Sequence, residues 1–430
     1  MPMSNAFEKR LYPILKDIVL HFGTPFHIYD ECGIRETGNR LKNAFSPLEG
    51  FKEYYAVKAL PNPHILEIML NMGFGLDCSS IAELILSRKV GAKHNDIMFT
   101  SNNTSHKEFQ EASKDGGCIL NLDDISLLPK VPQLPELICF RYNPGPLRTG
   151  NDIIGKPAEA KYGVAHHQLI DAYDKARNMG AKRFGLHTML VSNELNQSYM
   201  VQTVEMLLHV VEWINDQLGT EFEFINMGGG LGIPYRPKDP PLNLENMANQ
   251  IIDLLKAFET KHGTVPKLYM ESGRYMTGPH GVLVTTAINR KETYRTYVGV
   301  DACMSALMRP GIYGAYHHIT VLNKKPDANN ETIDVVGSLC ENNDKFATQR
   351  PLPKISDGDI LCIHDSGAHG LAMGFNYNGK LRPKELLLKP DGTVELIRRE
   401  ETISDYLTTL KFKADQFIPI MSQSSNALCN

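Results

Sequence analysis

Eight times between Glu53 and Gly273 the chain alternates a short, nearly continuous apolar run with a longer segment of helical periodicity. The runs are EYYAVKA (53–59), FGLDCSS (74–80), DIMFTSN (96–102), CILNLDD (118–124), LICFRYN (137–143), RFGLHTM (183–189), FEFINMGG (222–229) and KLYMESG (267–273). Short runs of this kind suit parallel strands buried on both faces. The segments between them carry apolar stripes at helical spacing, such as Ile65, Leu66, Met69 and Leu70, and most end at a glycine suited to a helix C-cap. An open doubly wound sheet accommodates the same alternation. The count of eight over about 220 residues instead predicts an α/β fold of the (β/α)8 barrel type. After about residue 280 the helices drop out. Strand-like runs then follow one another, the last pair joined by Pro390-Asp391-Gly392, a hairpin signal. The expectation there is an antiparallel β domain, closed by a frayed tail over 416–430.

Composition narrows the function classes. With 45 Lys and Arg against 49 Asp and Glu, the chain of 430 residues carries a net charge of −4 and lacks the basic field of a nucleic-acid binder. No apolar stretch reaches the ~18 residues of a membrane span, and the N-terminus lacks the apolar core of a signal peptide. The 8 cysteines are scattered and never adopt metal-ligand spacing, so neither a disulfide framework nor a metal site is expected, and a reducing cytoplasmic setting is.

In such a barrel the chemistry sits at the C-terminal ends of the strands. The first run ends in Lys58, a lysine within an apolar strand, whose burial is expected to lower its pKa. The seventh ends in Gly228-Gly229-Gly230-Leu231-Gly232, whose bare N–H groups could cradle a phosphate. The eighth ends in Glu271-Ser272-Gly273-Arg274, the second contributes Asp77, and the sixth leads to His187 and Ser192. Each has a bland alternative: a snorkelling lysine, a tight turn, a local Glu–Arg pair, a satisfied core histidine. Together, a lysine, a glycine cradle and a carboxylate are what pyridoxal phosphate requires. The long connection from Asn143 to Gly163, rich in Gly and Pro, is expected to border the site.

Seven segments in order make the chain resemble the fold-type III pyridoxal phosphate-dependent decarboxylases, most closely their diaminopimelate-decarboxylating branch. They are Tyr55-Ala56-Val57-Lys58-Ala59 with Asn62-Pro63, Gly75 to Ser80, Gly228 to Gly232, Glu271 to Tyr275, Met308 to Tyr313, Cys340 to Asp344, and Asp365 to Ala368 with Asn376-Tyr377-Asn378. The resemblance implies an alanine-racemase-like barrel over 36–280, a β domain formed by 1–35 with 281–430, and a homodimer with shared active sites. It implies that Lys58 carries the cofactor, that Glu271 pairs with its ring nitrogen, and that Asp77, Ser192, Gly229, Gly230, Arg274 and His369 contact it. Arg274, Arg309 and Tyr313 would hold the substrate, while Cys340 and Glu341 would enter from the partner subunit, Cys340 as proton donor. The implied reaction is decarboxylation of meso-2,6-diaminopimelate to L-lysine. Other basic amino acids, carboxylated polyamines, racemisation and a catalytically silent regulatory role are the alternatives. Two positions depart from the family pattern: Met189 replaces a ring-stacking histidine, and His369 a tyrosine.

Overall fold

The computed structural model describes residues 3–151, 153–325 and 330–411. The expected tail over 416–430 lies outside them. The first strand, β1 (Phe26–Asp30), precedes the barrel. The next nine are β2 (Lys52–Ala56), β3 (Gly75–Cys78), β4 (His94–Ser101), β5 (Cys118–Leu122), β6 (Leu137–Asn143), β7 (Val164–Ala165), β8 (Arg183–His187), β9 (Phe222–Asn226) and β10 (Lys267–Met270). All of these pairs are parallel. The order β2-β3-β4-β5-β6-β8-β9-β10 closes on itself through β10 with β2, and the two-residue β7 adds to the edge of β6. The eight apolar runs are the eight barrel strands. The first is shorter than its apolar run: the chain leaves β2 at Ala56, and Lys58 stands on a 3-10 turn over Val57–Ala59 rather than inside the strand.

Strand side chains alternate between faces with period two, so one register fixes the barrel's layers. Tyr54, Met98, Ile119, Cys139, Phe224 and Tyr269 form a separate apolar cluster across the strands. The Phe224 and Tyr269 rings stack 4.4 Å apart, and Tyr54 tilts against Tyr269 at 5.3 Å. Room for these rings comes from two glycines at the same height. A Cβ on Gly75 would lie 2.4 Å from the Tyr54 ring, and one on Gly185 2.2 Å from that of Phe224. Two residues further along the same strands, on the same face, stand Ala56, Asp77, Thr100, Asn121, Arg141, His187, Asn226 and Glu271. An aromatic floor thus carries a mostly polar layer.

The remaining strands are β11 (Gly281–Glu292), β12 (Thr296–Val300), β13 (Ile319–Val321), β14 (Glu331–Val336), β15 (Lys345–Leu352), β16 (Ile360–Ile363), β17 (Lys384–Leu388) and β18 (Val394–Arg398). They form a second sheet that is mixed rather than antiparallel. β1 from the N-terminus inserts between β11 and β17, antiparallel to the first and parallel to the second, and β12 runs parallel to β14. Both parallel pairs join strands whose connections must cross the sheet. Met3, Phe7, Leu11 and Leu15 of the N-terminal helical segment pack on this sheet with Phe26, Val282 and Leu386. The helix Glu31–Ala44 leads from β1 into the barrel core through Ile34 and Leu41. β17 and β18 form the predicted hairpin. Among the described residues no helix is long and apolar enough to cross a membrane.

Because the Gly185 position is filled by the Phe224 ring, Gly185→Ala is expected to cost about 1–3 kcal/mol in overpacking, read as a lower urea midpoint. An unchanged midpoint would show that the floor has slack.

Candidate active site

The polar layer opens into a cavity at the strand C-termini, lined by Lys58, Arg141, His187, Met189, Ser192, Gly230, Glu271, Arg274 and His369 among others. Lys58 Nζ lies 3.5 Å from Asp77 Oδ2. The lysine is about half exposed to the cavity, whereas Asp77 is buried and its Oδ1 has no partner. Burial does oppose the ammonium, as expected, but the carboxylates of Asp77 and Glu271 outweigh it and raise the Lys58 pKa. The anticipated lowering is therefore reversed. Asp77 itself is pushed up to about 7 by burial and by Glu271, with Lys58 pulling the other way.

Glu271 is fixed on both oxygens. Oε1 accepts from Asn226 Nδ2 at 2.8 Å, and Oε2 faces His187 Nε2 at 3.2 Å. A carboxylate only accepts, so this nitrogen carries the proton in a neutral ring and the orphaned Nδ1 is its acceptor. Burial resists the charge on Glu271, but His187, Lys58 and Arg141 together hold its carboxyl below the usual range. Burial lowers the His187 pKa. The hydrogen bonds of Arg274 run instead to Tyr235 and Ser192, so the local Glu271–Arg274 pair is not formed.

The glycine run turns back on this carboxylate. Gly228 N–H donates to Asn226 Oδ1 at 2.9 Å, and Glu271 N–H to Gly228 O at 2.9 Å. A Cβ on Gly229 would lie 2.3 Å from the Glu271 carbonyl oxygen, and Gly230 has φ +100°. Backbone approach thus requires these glycines whatever they bind. Gly229 N–H points to Met189 Sδ at 3.3 Å, which settles the thioether against the turn. His369 also has a left-handed backbone (φ 54°), and its N–H donates to Ala59 O. Burial, with Arg274, Arg309 and Lys58 nearby, drives its pKa well down, leaving a neutral ring. The connection after β6 borders the site as expected: Asn151 Nδ2 donates to Ser192 O at 2.8 Å.

Of the residues singled out in the sequence, Lys58, Ser192, Gly230, Glu271, Arg274 and His369 share this cavity, with Asp77 and Gly229 against it. Arg309 is buried and reaches the same region through Tyr235. Tyr313, Cys340 and Glu341 lie outside their own chain's cavity. Tyr313 is 62 % exposed, Cys340 is exposed, and Glu341 Oε1 accepts from Asn343 N–H within its own loop. Sequence reasoning missed Arg141, Asn226 and Tyr235. Arg141, whose guanidinium lies 3.7 Å over the Tyr162 ring, is a charge inside an apolar run and carried the same signal as Lys58.

Residues 33–278 match the family model described as pyridoxal-dependent decarboxylase, pyridoxal binding domain. The chain belongs to the pyridoxal-dependent decarboxylases. It is 47% identical to Protein TabA of Pseudomonas amygdali pv. tabaci, over 97% of this chain and 99% of that one. It is 37% identical to diaminopimelate decarboxylase of Methanothermobacter thermautotrophicus, covering 90% of this chain and 91% of that one. The crystal structure of diaminopimelate decarboxylase from M. jannaschii in co-complex with L-lysine superposes with a TM-score of 0.84 at 29% identity, covering 92% and 94% of the two chains. The cofactor of this decarboxylase is pyridoxal phosphate, and the cavity fits it. It offers one amine, a fixed carboxylate, a glycine turn and two unpartnered buried polar atoms, Asp77 Oδ1 and Arg274 Nε.

Behind Arg309, the Asp365 carboxyl accepts from Met3 N–H at 3.1 Å, leaves Oδ2 unpartnered, and is pushed up to about 7 by burial. Its native pKa exceeds its unfolded value, so the native state keeps a proton that the unfolded chain has released. That contribution to stability is whole below about pH 4 and is lost as pH rises through about 7. Asp365→Asn should therefore gain on wild type between about pH 5 and about pH 8, by on the order of 1–3 kcal/mol in urea unfolding. A constant difference would contradict this.

Proposed function

We propose that the chain decarboxylates meso-2,6-diaminopimelate to L-lysine and CO2 and works as a homodimer with shared active sites. The observation that carries the substrate is a pair of buried guanidiniums, Arg274 and Arg309, that meet at Tyr235. Among the described residues neither has a carboxylate within ion-pair distance. Such a pair at the edge of the cavity suits a substrate with a second carboxylate, and arginine is the side chain best matched to one. A plain diamino acid would leave Arg309, which has no phosphate to pair with, buried and unanswered, at a cost of several kcal/mol.

Bound pyridoxal phosphate supplies the electron sink that accepts the pair released when the substrate's Cα–CO2 bond breaks. Lys58 is the amine that holds it. Glu271, pinned by Asn226 and His187, presents a fixed negative charge able to keep a proton on the ring nitrogen. Gly229, Gly230, Ser192 and Arg274 would hold the phosphate end, and Asp77 and neutral His369 would flank the ring. Arg309 and Tyr313 would grip the far carboxylate and Glu341 the far ammonium. After CO2 leaves, Cα needs a proton, which the Cys340 thiol is competent to give. That Cys340 and Glu341 lie outside the cavity of their own chain, Cys340 exposed and Glu341 bonded within its loop, supports their delivery by the partner subunit.

A second reading keeps the chemistry and changes the amino acid. It is favoured by the higher identity to Protein TabA than to the diaminopimelate decarboxylases, together with Met189 and His369 in the cavity. CO2 release decides between them. The proposal expects kcat/KM for meso-diaminopimelate at least about a hundredfold above ornithine, arginine or carboxynorspermidine, since a site built for a charged group rejects analogues lacking it. Faster turnover of any of these overturns it. The shared site has its own test. Mixing inactive Lys58→Ala and Cys340→Ala homodimers is expected to restore partial activity through hybrids, and no recovery despite proven subunit exchange would contradict it.

A further inference from the structure

We propose that Tyr235 is a positioning residue that locks Arg274 and Arg309 into one dicationic receptor for the substrate's second carboxylate. The proposal deepens the diaminopimelate reading and rests on it.

Two guanidiniums donate ten N–H groups between them and accept nothing, so they approach each other only around an anion or a neutral acceptor. Here the acceptor is the Tyr235 phenol, 8% exposed. Its oxygen accepts from Arg274 Nη1 and from Arg309 Nη1, each at 2.5 Å, which uses both of its lone pairs. The guanidinium carbons of Arg309 and Arg274 also stand 4.8 and 5.8 Å from the centre of its ring. The other contacts are neutral too. Arg274 Nη2 donates to Ser192 Oγ at 3.3 Å. His317 Nδ1 must donate to the His364 carbonyl at 2.8 Å, which leaves its Nε2 lone pair to accept from Arg309 Nη1 at 3.3 Å.

Every direct partner of the two arginines is therefore uncharged, and the array keeps both positive charges while holding them in place. A carboxylate at position 235 would cancel the receptor; a ring without the oxygen would let like charges separate. Arg274 Nε, buried and without a partner, is a donor the array leaves free for a ligand. The bridge also spans the two sheets, because Tyr235 follows the glycine turn of the barrel while Arg309 and His317 come from the second region.

Holoenzyme titrations with L-lysine and cadaverine test this, because lysine retains the second carboxylate and cadaverine has none. Wild type is expected to prefer lysine. Tyr235→Phe should weaken lysine about tenfold, ~1.4 kcal/mol, and cadaverine less than about twofold. KM for meso-diaminopimelate should rise about tenfold with kcat within about threefold, and the cofactor absorbance maximum should stay in place. Tyr235→Met removes the same acceptor with different packing and carries the same expectation. A wild-type preference that survives intact in both variants overturns the proposal alone. A wild type without the preference overturns the diaminopimelate reading and the proposal with it.

Discussion

Burying the Glu271 carboxylate is the act on which the rest of the site depends. A lone anion among barrel strands would take up a proton rather than stay charged. Asn226 from β9 and His187 from β8 bond its two oxygens, and Lys58 and Arg141 add positive charge from across the barrel. These groups meet because parallel register sets them at one height, two residues beyond the aromatic floor of Tyr54, Phe224 and Tyr269. Tilting one strand by a residue would turn its member of the layer to the outside. The same closeness sets Asp77, pushed up by burial and by Glu271 and held down by Lys58, so the Asp77 and Glu271 carboxyls do not titrate as independent residues.

The second sheet supplies what the barrel lacks. Inside the barrel the charges largely answer one another, whereas at its edge Arg274 and Arg309 do not. The barrel's glycine-rich turn contributes Tyr235 and the second region contributes Arg309 and His317, so the cation pair exists only where the two regions touch. His369, on a strained left-handed backbone tied to Ala59, closes the same seam as a neutral ring beside three cations. A protonated imidazole there would add a fourth charge to a crowded corner. The seam makes the chain's chemistry depend on docking of the sheet as well as on the barrel fold.

The barrel was legible because strands buried on both faces write themselves as continuous apolar runs, and all eight did. The polar layer was less so. Lys58 and Glu271 stood out as charges at the ends of apolar runs, but Arg141 had the same signature inside LICFRYN and was passed over. Asn226 and the part His187 plays become visible only once the register relative to Phe224 and Gly185 is known. Tyr235 gave no periodic signal, because its importance lies in contacts with residues 39 and 74 positions away. β15 carries only three buried residues, Phe346, Ala347 and Leu352, and so lacks the apolar run that reveals a strand. The mixed character of the second sheet was hidden for a different reason: β1 pairs with strands more than 250 residues later, and local sequence does not encode such partners.

The central claim is that one lysine, Lys58, holds the cofactor opposite Glu271. Borohydride reduction of the purified holoenzyme, followed by proteolysis and mass spectrometry of the peptides, tests it directly. The account predicts that the pyridoxyl phosphate mass is found on the peptide containing Lys58 and on no other. Labelling of a different lysine, or an unlabelled Lys58 peptide from fully loaded enzyme, would contradict it.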